Sequence, residues 1–292
     1  MLEAARLMRR FGEKVAVDDV SFVVPDGTLT GFVGGNGAGK TTTMRMIMGV
    51  LGIHGGEVRW NGHTVTAADR RRFGYMPEER GLYPKQPVLD QLIYLARLRG
   101  MSTRAAFEGA MELLDRFELG GRRKDKLESL SLGNQQRVQI AAALISDPVA
   151  LVLDEPFSGL DPVAVDTMAA LLKEHAAQGI PILFSSHQLD LVERLCDRLI
   201  ILADGRVVAQ GSAEELTRSG TPRYRLVVDH EPVWLREFAG VRVIEIDGTT
   251  AIFELLDETT DELLIQALAE GSIRELAPVR SSVSDIYREA VA

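Results

Sequence analysis

The chain has 292 residues, 46% hydrophobic and 26% charged, which suits about two globular domains and excludes collagen-like, low-complexity and disulfide-scaffold classes. Lys and Arg number 33 against 42 Asp and Glu, and the net charge of −9 argues against a nonspecific nucleic-acid binder. Cys196 is the only cysteine, so no intrachain disulfide can form and a reducing compartment is expected.

The first ten residues, MLEAARLMRR, hold no apolar h-region, which argues against secretion. The longest stretches without a charged residue, 27–39 and 175–189, are too short and too polar to span a bilayer, so work at a membrane would need a partner. Residues 15–24 alternate, are rich in Val and break at Pro25-Asp26-Gly27, which predicts a strand and a tight turn. A second strand, 29–33, runs into a glycine-rich loop, and a helix over 40–50 follows. Short strands with a turn at Asn61-Gly62 are expected over 57–76. From Asp90 the period becomes helical: Leu92, Leu95, Ala96 and Leu98 are assigned to one face, and Gly100 stops the helix. Phe107, Met111, Leu114 and Phe117 space a second helix from Thr103 to Gly120-Gly121, so 85–146 reads as a helical subdomain.

The apolar run 150–153 predicts a buried parallel strand. Asp161 before Pro162 is an N-cap followed by the favoured first helical residue, and that helix should end near Gln178 with Gly179 as its stop. A buried strand at 182–184, a helix at 188–196 and a hairpin around Asp204-Gly205 complete an α/β alternation that implies a mostly parallel sheet covered on both faces. Residues 221–292 carry seven Arg, no Lys and fourteen acidic residues, a net −7 that leaves −2 for the rest. This break falls at the turn-rich Ser219-Gly220-Thr221-Pro222, so domains of 1–219 and 220–292 are expected. The tail reads as strand 224–228, helix 233–238, strand 242–246, strand 251–255, helix 260–269 and strand 273–276, the βαββαβ order of a ferredoxin-like unit, with a last amphipathic helix over 282–290.

Three motifs carry chemistry. Gly34-Gly35-Asn36-Gly37-Ala38-Gly39-Lys40-Thr41, followed by Thr42, matches G-x-x-x-x-G-K-[ST] between a strand and a helix. Backbone N–H groups of such a loop turn around phosphates at a helix start, Lys40 reaches the β- and γ-phosphates, and the Thr41 hydroxyl reaches Mg²⁺. The strand at 150–153 delivers Asp154 and Glu155 at its C-terminal end, Asp154 to hold Mg²⁺ and Glu155 to polarise a water. Leu130-Ser131-Leu132-Gly133-Asn134-Gln135-Gln136-Arg137 opens a helix; spacing alone favours Ser131 as a plain N-cap over a second anion site.

In order, the phosphate loop, the Leu-Ser-x-Gly helix start, Asp154-Glu155, Ser158-Gly159-Leu160-Asp161 and Ser185-Ser186-His187 resemble the ATP-binding cassette of ABC transporters over residues 1–215. The resemblance implies ATP and Mg²⁺ as ligands and two cassettes, identical or paralogous, packed head to tail. Ser131 and Gly133 of one then meet the γ-phosphate held by the other, Asp161 bridges the pair, and Ser131 is more than a cap. It further implies Phe11 as an adenine-stacking ring, where composition alone would suggest a core residue, and His187 as a γ-phosphate sensor. Glu78, in Tyr75-Met76-Pro77-Glu78, stands where the family usually has glutamine beside Mg²⁺ and the lytic water. Leu132 and Asn134 depart from the usual Leu-Ser-Gly-Gly-Gln signature. The basic run Arg122-Arg123-Lys124 is read as a solvated face. With the run 78–84 and the seventy-residue tail, the chain resembles ATPase subunits of bacterial sodium-efflux and drug exporters. That implies a cytoplasmic protein at the inner face of the membrane, a separate permease and no nucleic-acid partner. A soluble ATPase outside transport and a nucleotide-dependent regulatory module are the alternatives; Glu155 and His187 weigh against the second.

Overall fold

A computed structural model describes residues 1–79, 81–218, 222–256, 260–279 and 283–291. The chain divides into two compact units, 1–213 and 214–292. The division lies six residues before the expected one, and the turn anticipated at Ser219–Thr221 falls outside the described residues, as do Arg80 and Ser282.

The first unit holds two sheets. Strands β1 (Leu2–Phe11), β2 (Lys14–Val24), β4 (Gly55–Trp60) and β5 (His63–Thr64) form an antiparallel sheet in the order β2-β1-β4-β5. Strand β1 was not legible because bulges break its alternation: the register slips between Ala4 and Leu7 and again before Arg9, and Arg6 adopts φ 50°. Its buried residues are therefore Leu2, Ala4 and Leu7 rather than an even-numbered set. The second sheet has six strands in the order β10-β9-β3-β8-β7-β6, from β3 (Leu29–Val33), β6 (Phe73–Met76), β7 (Ala150–Leu153), β8 (Ile182–Ser186), β9 (Arg198–Ala203) and β10 (Arg206–Gly211). All its pairings are parallel except β9 with β10. Every residue of β3, β7 and β8 is buried, as a sheet covered on both faces requires.

Helix α1 (Lys40–Ile47) buries Met44, Met46 and Ile47 in a core shared by the two sheets. Phe22 meets Phe32 at 5.1 Å and Trp60 meets Phe73 edge-on at 5.3 Å, tying one sheet to the other. A short helix not anticipated from the sequence, α2 (Ala67–Arg70), is closed by a reciprocal capping box between Thr66 and Asp69. Helices α3 (Val88–Leu98), α4 (Thr103–Arg116) and α5 (Leu132–Leu144) form the expected helical region. Two of its faces differ from expectation. Leu98 is 65% exposed, because six residues past Leu92 a helix has turned about 240°. Phe107 is exposed as well: α4 buries Leu114 with Ala106 and Ala110, two small residues that let the helices approach. Helices α6 (Pro162–Ala177) and α7 (Leu189–Leu195) complete the unit, and α8 (Ala213–Arg218) begins at the division.

The second unit is a four-stranded antiparallel sheet in the order β12-β13-β11-β14, from β11 (Arg223–Val227), β12 (Val241–Asp247), β13 (Thr250–Leu255) and β14 (Glu275–Val279), with helices α9 (Thr260–Glu270) and α10 (Val283–Val291). Strand β13 lies between β11 and β12, the split arrangement that the βαββαβ order implies. The expected helix at 233–238 is only a 3₁₀ segment, Val233–Glu237, after Pro232. The last strand starts two residues later than expected. Leu226, Leu235, Phe253 and Leu263 fill the core. Beneath it, Glu254 (2% exposed) accepts from Arg223 Nε at 3.1 Å and Arg242 Nε at 2.8 Å.

Candidate nucleotide site

Four loops meet at one edge of the parallel sheet because they leave the C-terminal ends of parallel strands in near register. Val33 pairs with Ser186, Leu153 with Phe184, and Met76 with Leu153. The loops carry the phosphate loop after β3, Glu78 after β6, Asp154 and Glu155 after β7, and His187 after β8. That edge is where open α/β sheets bind ligands.

The phosphate loop depends on glycine at two close approaches. A Cβ on Gly34 would lie 2.5 Å from Leu202 O, and one on Gly39, at φ 103°, 2.6 Å from Ala16 O. Gly39 then opens α1 in a left-handed conformation. Lys40 is buried and its Nζ donates across the loop to Gly34 O (2.6 Å) and Gly35 O (3.1 Å). Burial lowers its pKa, against the nearby Glu155, Asp154 and Glu78. The Ala38 N–H donates to Gly35 O at 3.2 Å. A cavity of about 450 Å³ is lined by Phe11, Asn36, Gly37, Lys40, Thr41, Thr42 and Glu78 among others. Phe11 is half-exposed, not a core residue, and the Arg9 guanidinium sits 4.9 Å from its ring centroid.

Thr41 Oγ1 donates to Glu78 Oε2 at 3.2 Å. Asp154 is fully buried; its Oδ1 accepts from Ser185 Oγ at 2.5 Å, and its Oδ2 has no hydrogen-bond partner. Burial raises the Asp154 pKa, opposed by the Ser185 and Thr41 hydroxyls. Burial likewise raises that of Glu155, opposed by His187, whose Nδ1 lies 3.1 Å from both carboxylate oxygens. Glu155 adopts φ 51°, a left-handed conformation that costs a non-glycine residue on the order of 1–3 kcal/mol unless its surroundings hold it. They do: Ser185 Oγ accepts from Glu155 N at 2.8 Å and Gln136 Nε2 donates to Glu155 O at 2.9 Å. Phe157 packs edge-on against Phe184 at 5.1 Å and fixes the loop that follows.

A second cavity, about 370 Å³, is lined by Asn36, Glu78, Leu132, Gln136, Glu155, Ser158, Gly159 and His187. Ser131, Gly133 and Asp161 line neither cavity. Ser131 caps α5, accepting from Asn134 N at 3.4 Å, and Asp161 caps α6, accepting from Ala164 N at 2.9 Å. Leu132 is 57% exposed, and Gly133 has room for a Cβ at ordinary contact distance from Leu160. Sequence reasoning assigned no role to Ser185 or Gln136. Their partners lie 31 and 19 residues away, and the only local signal was the polar pair Ser185-Ser186 closing an apolar strand.

Residues 17–158 match the ABC transporter family model, and residues 211–291 match the C-terminal domain of DrrA1-3-like ATP-binding proteins. The uncharacterised ABC transporter ATP-binding protein YhaQ of Bacillus subtilis is 39% identical over 100% of this chain and 98% of its own length. This chain belongs to the ABC transporter ATP-binding proteins. The ABC ATP-binding subunit further resembles Nod factor export ATP-binding protein I of Burkholderia lata, at 38% identity over 72% of this chain and 70% of that protein. Among solved structures, the dimeric cassette MJ0796 superposes with a TM-score of 0.67 and 25% identity, covering 73% of this chain and 98% of that one. The fold is the P-loop cassette, α/β with an antiparallel subdomain and a helical subdomain, and the family's activity is ATP hydrolysis.

Proposed function

We propose that this chain is the ATP-hydrolysing subunit of an exporter whose membrane-spanning permease is a separate polypeptide, and that it works as a pair of cassettes on the cytoplasmic face of the membrane. The observation that carries the proposal is the convergence of Lys40, Thr41, Asp154, Glu155 and His187 from separate loops on one sheet edge. The export-related relative supports the direction of transport. Among the described residues, no helix is long and apolar enough to cross a membrane, which suits a separate permease. The dimeric neighbour supports pairing, either of two copies or with a paralogue.

In this reading the backbone N–H groups of Gly34, Gly35, Asn36, Gly37, Gly39 and Lys40, with Thr42, surround the phosphates of ATP, and the Lys40 ammonium donates to the β- and γ-phosphates. Ala38 shapes the loop, its N–H being held by Gly35. Phe11 stacks on adenine with its exposed ring. The Thr41 hydroxyl, the unpartnered Asp154 Oδ2 and the Glu78 carboxylate are hard oxygen donors that fit Mg²⁺. Among the described residues no cluster of three or more His, Cys, Asp or Glu forms a cation cage, which suits an ion completed by phosphate oxygens and water. Bound Mg²⁺ neutralises charge developing on the phosphates. Glu155 accepts the proton of the attacking water, and His187 orients its carboxylate. Ser131, Gly133 and Asp161 act on the nucleotide of the second cassette. The amide in Glu155→Gln keeps the shape but not the basicity, so turnover should fall about 10²–10⁴-fold while ATP binding persists. The ATP-bound variant should also elute as a dimer in size-exclusion chromatography. Turnover at the unmodified rate would remove Glu155 from the chemistry.

A further inference from the structure

Ser185 is fully buried at the end of β8, and its single hydroxyl serves two consecutive residues of the neighbouring strand's exit loop. Its proton goes to Asp154 Oδ1 (2.5 Å), and a lone pair accepts the Glu155 N–H (2.8 Å). A hydroxyl has one proton and two lone pairs, so both bonds form at once. The first bond fixes the Asp154 carboxylate about its last torsion and leaves Oδ2, buried and without a partner, as the oxygen free to ligate. The second holds the left-handed backbone that turns Glu155 toward His187. Two residues further on, the same segment supplies His187 itself. One side chain thus couples the metal-holding carboxylate, the base and the strand that carries the base's partner.

We propose that Ser185 is a positioning residue for ATP hydrolysis, aligning the Asp154 carboxylate for the nucleotide's metal ion and setting the direction of Glu155. The inference rests on the reading of Asp154 and Glu155 given above. It differs from a purely structural role, in which Ser185 satisfies a buried carboxylate and its loss weakens the whole fold. Loss of a group that orients a metal ligand typically lowers metal affinity about 10–100-fold. Contacts of the phosphate loop with nucleotide do not pass through Ser185, so metal-free nucleotide binding should be insensitive to it.

The test uses the full chain with Ser185→Ala, Ser185→Thr and Asp154→Asn. ATP affinity is measured by calorimetry in the presence of a chelator, and Mn²⁺ affinity of the ADP-loaded protein by electron paramagnetic resonance. Ser185→Ala should keep its chelator-condition affinity within about twofold and lose about tenfold or more in Mn²⁺ affinity, with turnover falling in parallel. Ser185→Thr, which retains the hydroxyl, should recover most of the Mn²⁺ affinity. Where either substitution does not fold, Ser185→Cys fills the same space with a poor donor and should behave as Ser185→Ala. Wild-type Mn²⁺ affinity in Ser185→Ala, or equal losses with and without metal, overturns the proposal. Unchanged Mn²⁺ affinity in Asp154→Asn instead overturns the assignment of Asp154, on which the inference depends.

Discussion

Among the described residues each unit buries one carboxylate almost completely, Asp154 in the cassette and Glu254 in the C-terminal unit, and the two are treated in opposite ways. Glu254, on β13 of the C-terminal unit, gives one oxygen to Arg223 and the other to Arg242. Asp154, just past the end of β7 in the cassette, accepts one hydrogen bond, from Ser185 on Oδ1, and none on Oδ2, with the Thr41 hydroxyl a second favourable group nearby. A buried charge is tolerated when paired and costs several kcal/mol when it is not. The pairing of Glu254 thus belongs to folding, and one of its two arginines, Arg223, also reaches Asp285 of α10 at 3.6 Å. In the proposed function, the half-satisfied state of Asp154 leaves Oδ2 for a ligand. Burial raises the Asp154 pKa accordingly, with only two hydroxyls and the Lys40 ammonium opposing it.

The largest expected effect comes from leaving Glu254's arginines as short of a partner as Asp154 Oδ2 is. Glu254→Ala takes from Arg223, 9% exposed, its carboxylate partner at 3.1 Å while Asp285 at 3.6 Å remains, and should cost about 3 kcal/mol in the C-terminal unit. Trp234 lies in that unit and Trp60 in the cassette, so denaturation of single-tryptophan variants reads the two separately. The Trp234 transition should move and the Trp60 transition and ATP affinity should not. Lys40→Ala should do the reverse. Removing a charged hydrogen bond to phosphate costs about 1.5–3 kcal/mol, so ATP binding should weaken about tenfold or more by calorimetry, with the Trp234 transition unchanged. Glu78→Gln keeps an acceptor for the Thr41 hydroxyl and removes one exposed charge, so Mn²⁺ affinity should fall less than in Asp154→Asn. The smallest effect belongs to a surface carboxylate. Thr66 holds the Asp69 pKa down at about 2, below the value of an unfolded aspartate near 3.9. Ionised Asp69 therefore contributes stability that is full above the unfolded value and is lost as pH falls toward about 2. Asp69→Asn should flatten that limb in the urea midpoint of the cassette between pH 4 and pH 2, and leave the Trp234 transition alone.

The sequence made the phosphate loop and the Asp154-Glu155 strand end legible because each joins a local motif to an unbroken apolar run. It also made the order of elements in the C-terminal unit legible, since turn residues such as Asp247-Gly248 separate short runs rich in β-branched residues. It hid β1, where bulges scramble the alternation, and it put two side chains on buried faces wrongly: Leu98, which the helical period turns away from Leu92, and Phe107, whose helix packs through Ala106, Ala110 and Leu114 instead. The bonds from Ser185 and Gln136 to the Asp154-Glu155 loop were beyond it for a different reason. Neither has a local pattern, and both exist only because the sheet register and the packing of α5 bring distant segments together.

Amide hydrogen exchange on the full chain, with and without Mg²⁺ and ATP, tests the central contrast most directly, because it reads both units in one sample. Slower exchange is expected over 34–43, 153–158 and 185–188, the segments that carry Lys40, Thr41, Asp154, Glu155 and His187, and no change over the C-terminal sheet, 223–227 and 250–255, where the buried Glu254 is already paired. Unchanged exchange at the phosphate loop, or equal slowing across the C-terminal sheet, would contradict that contrast.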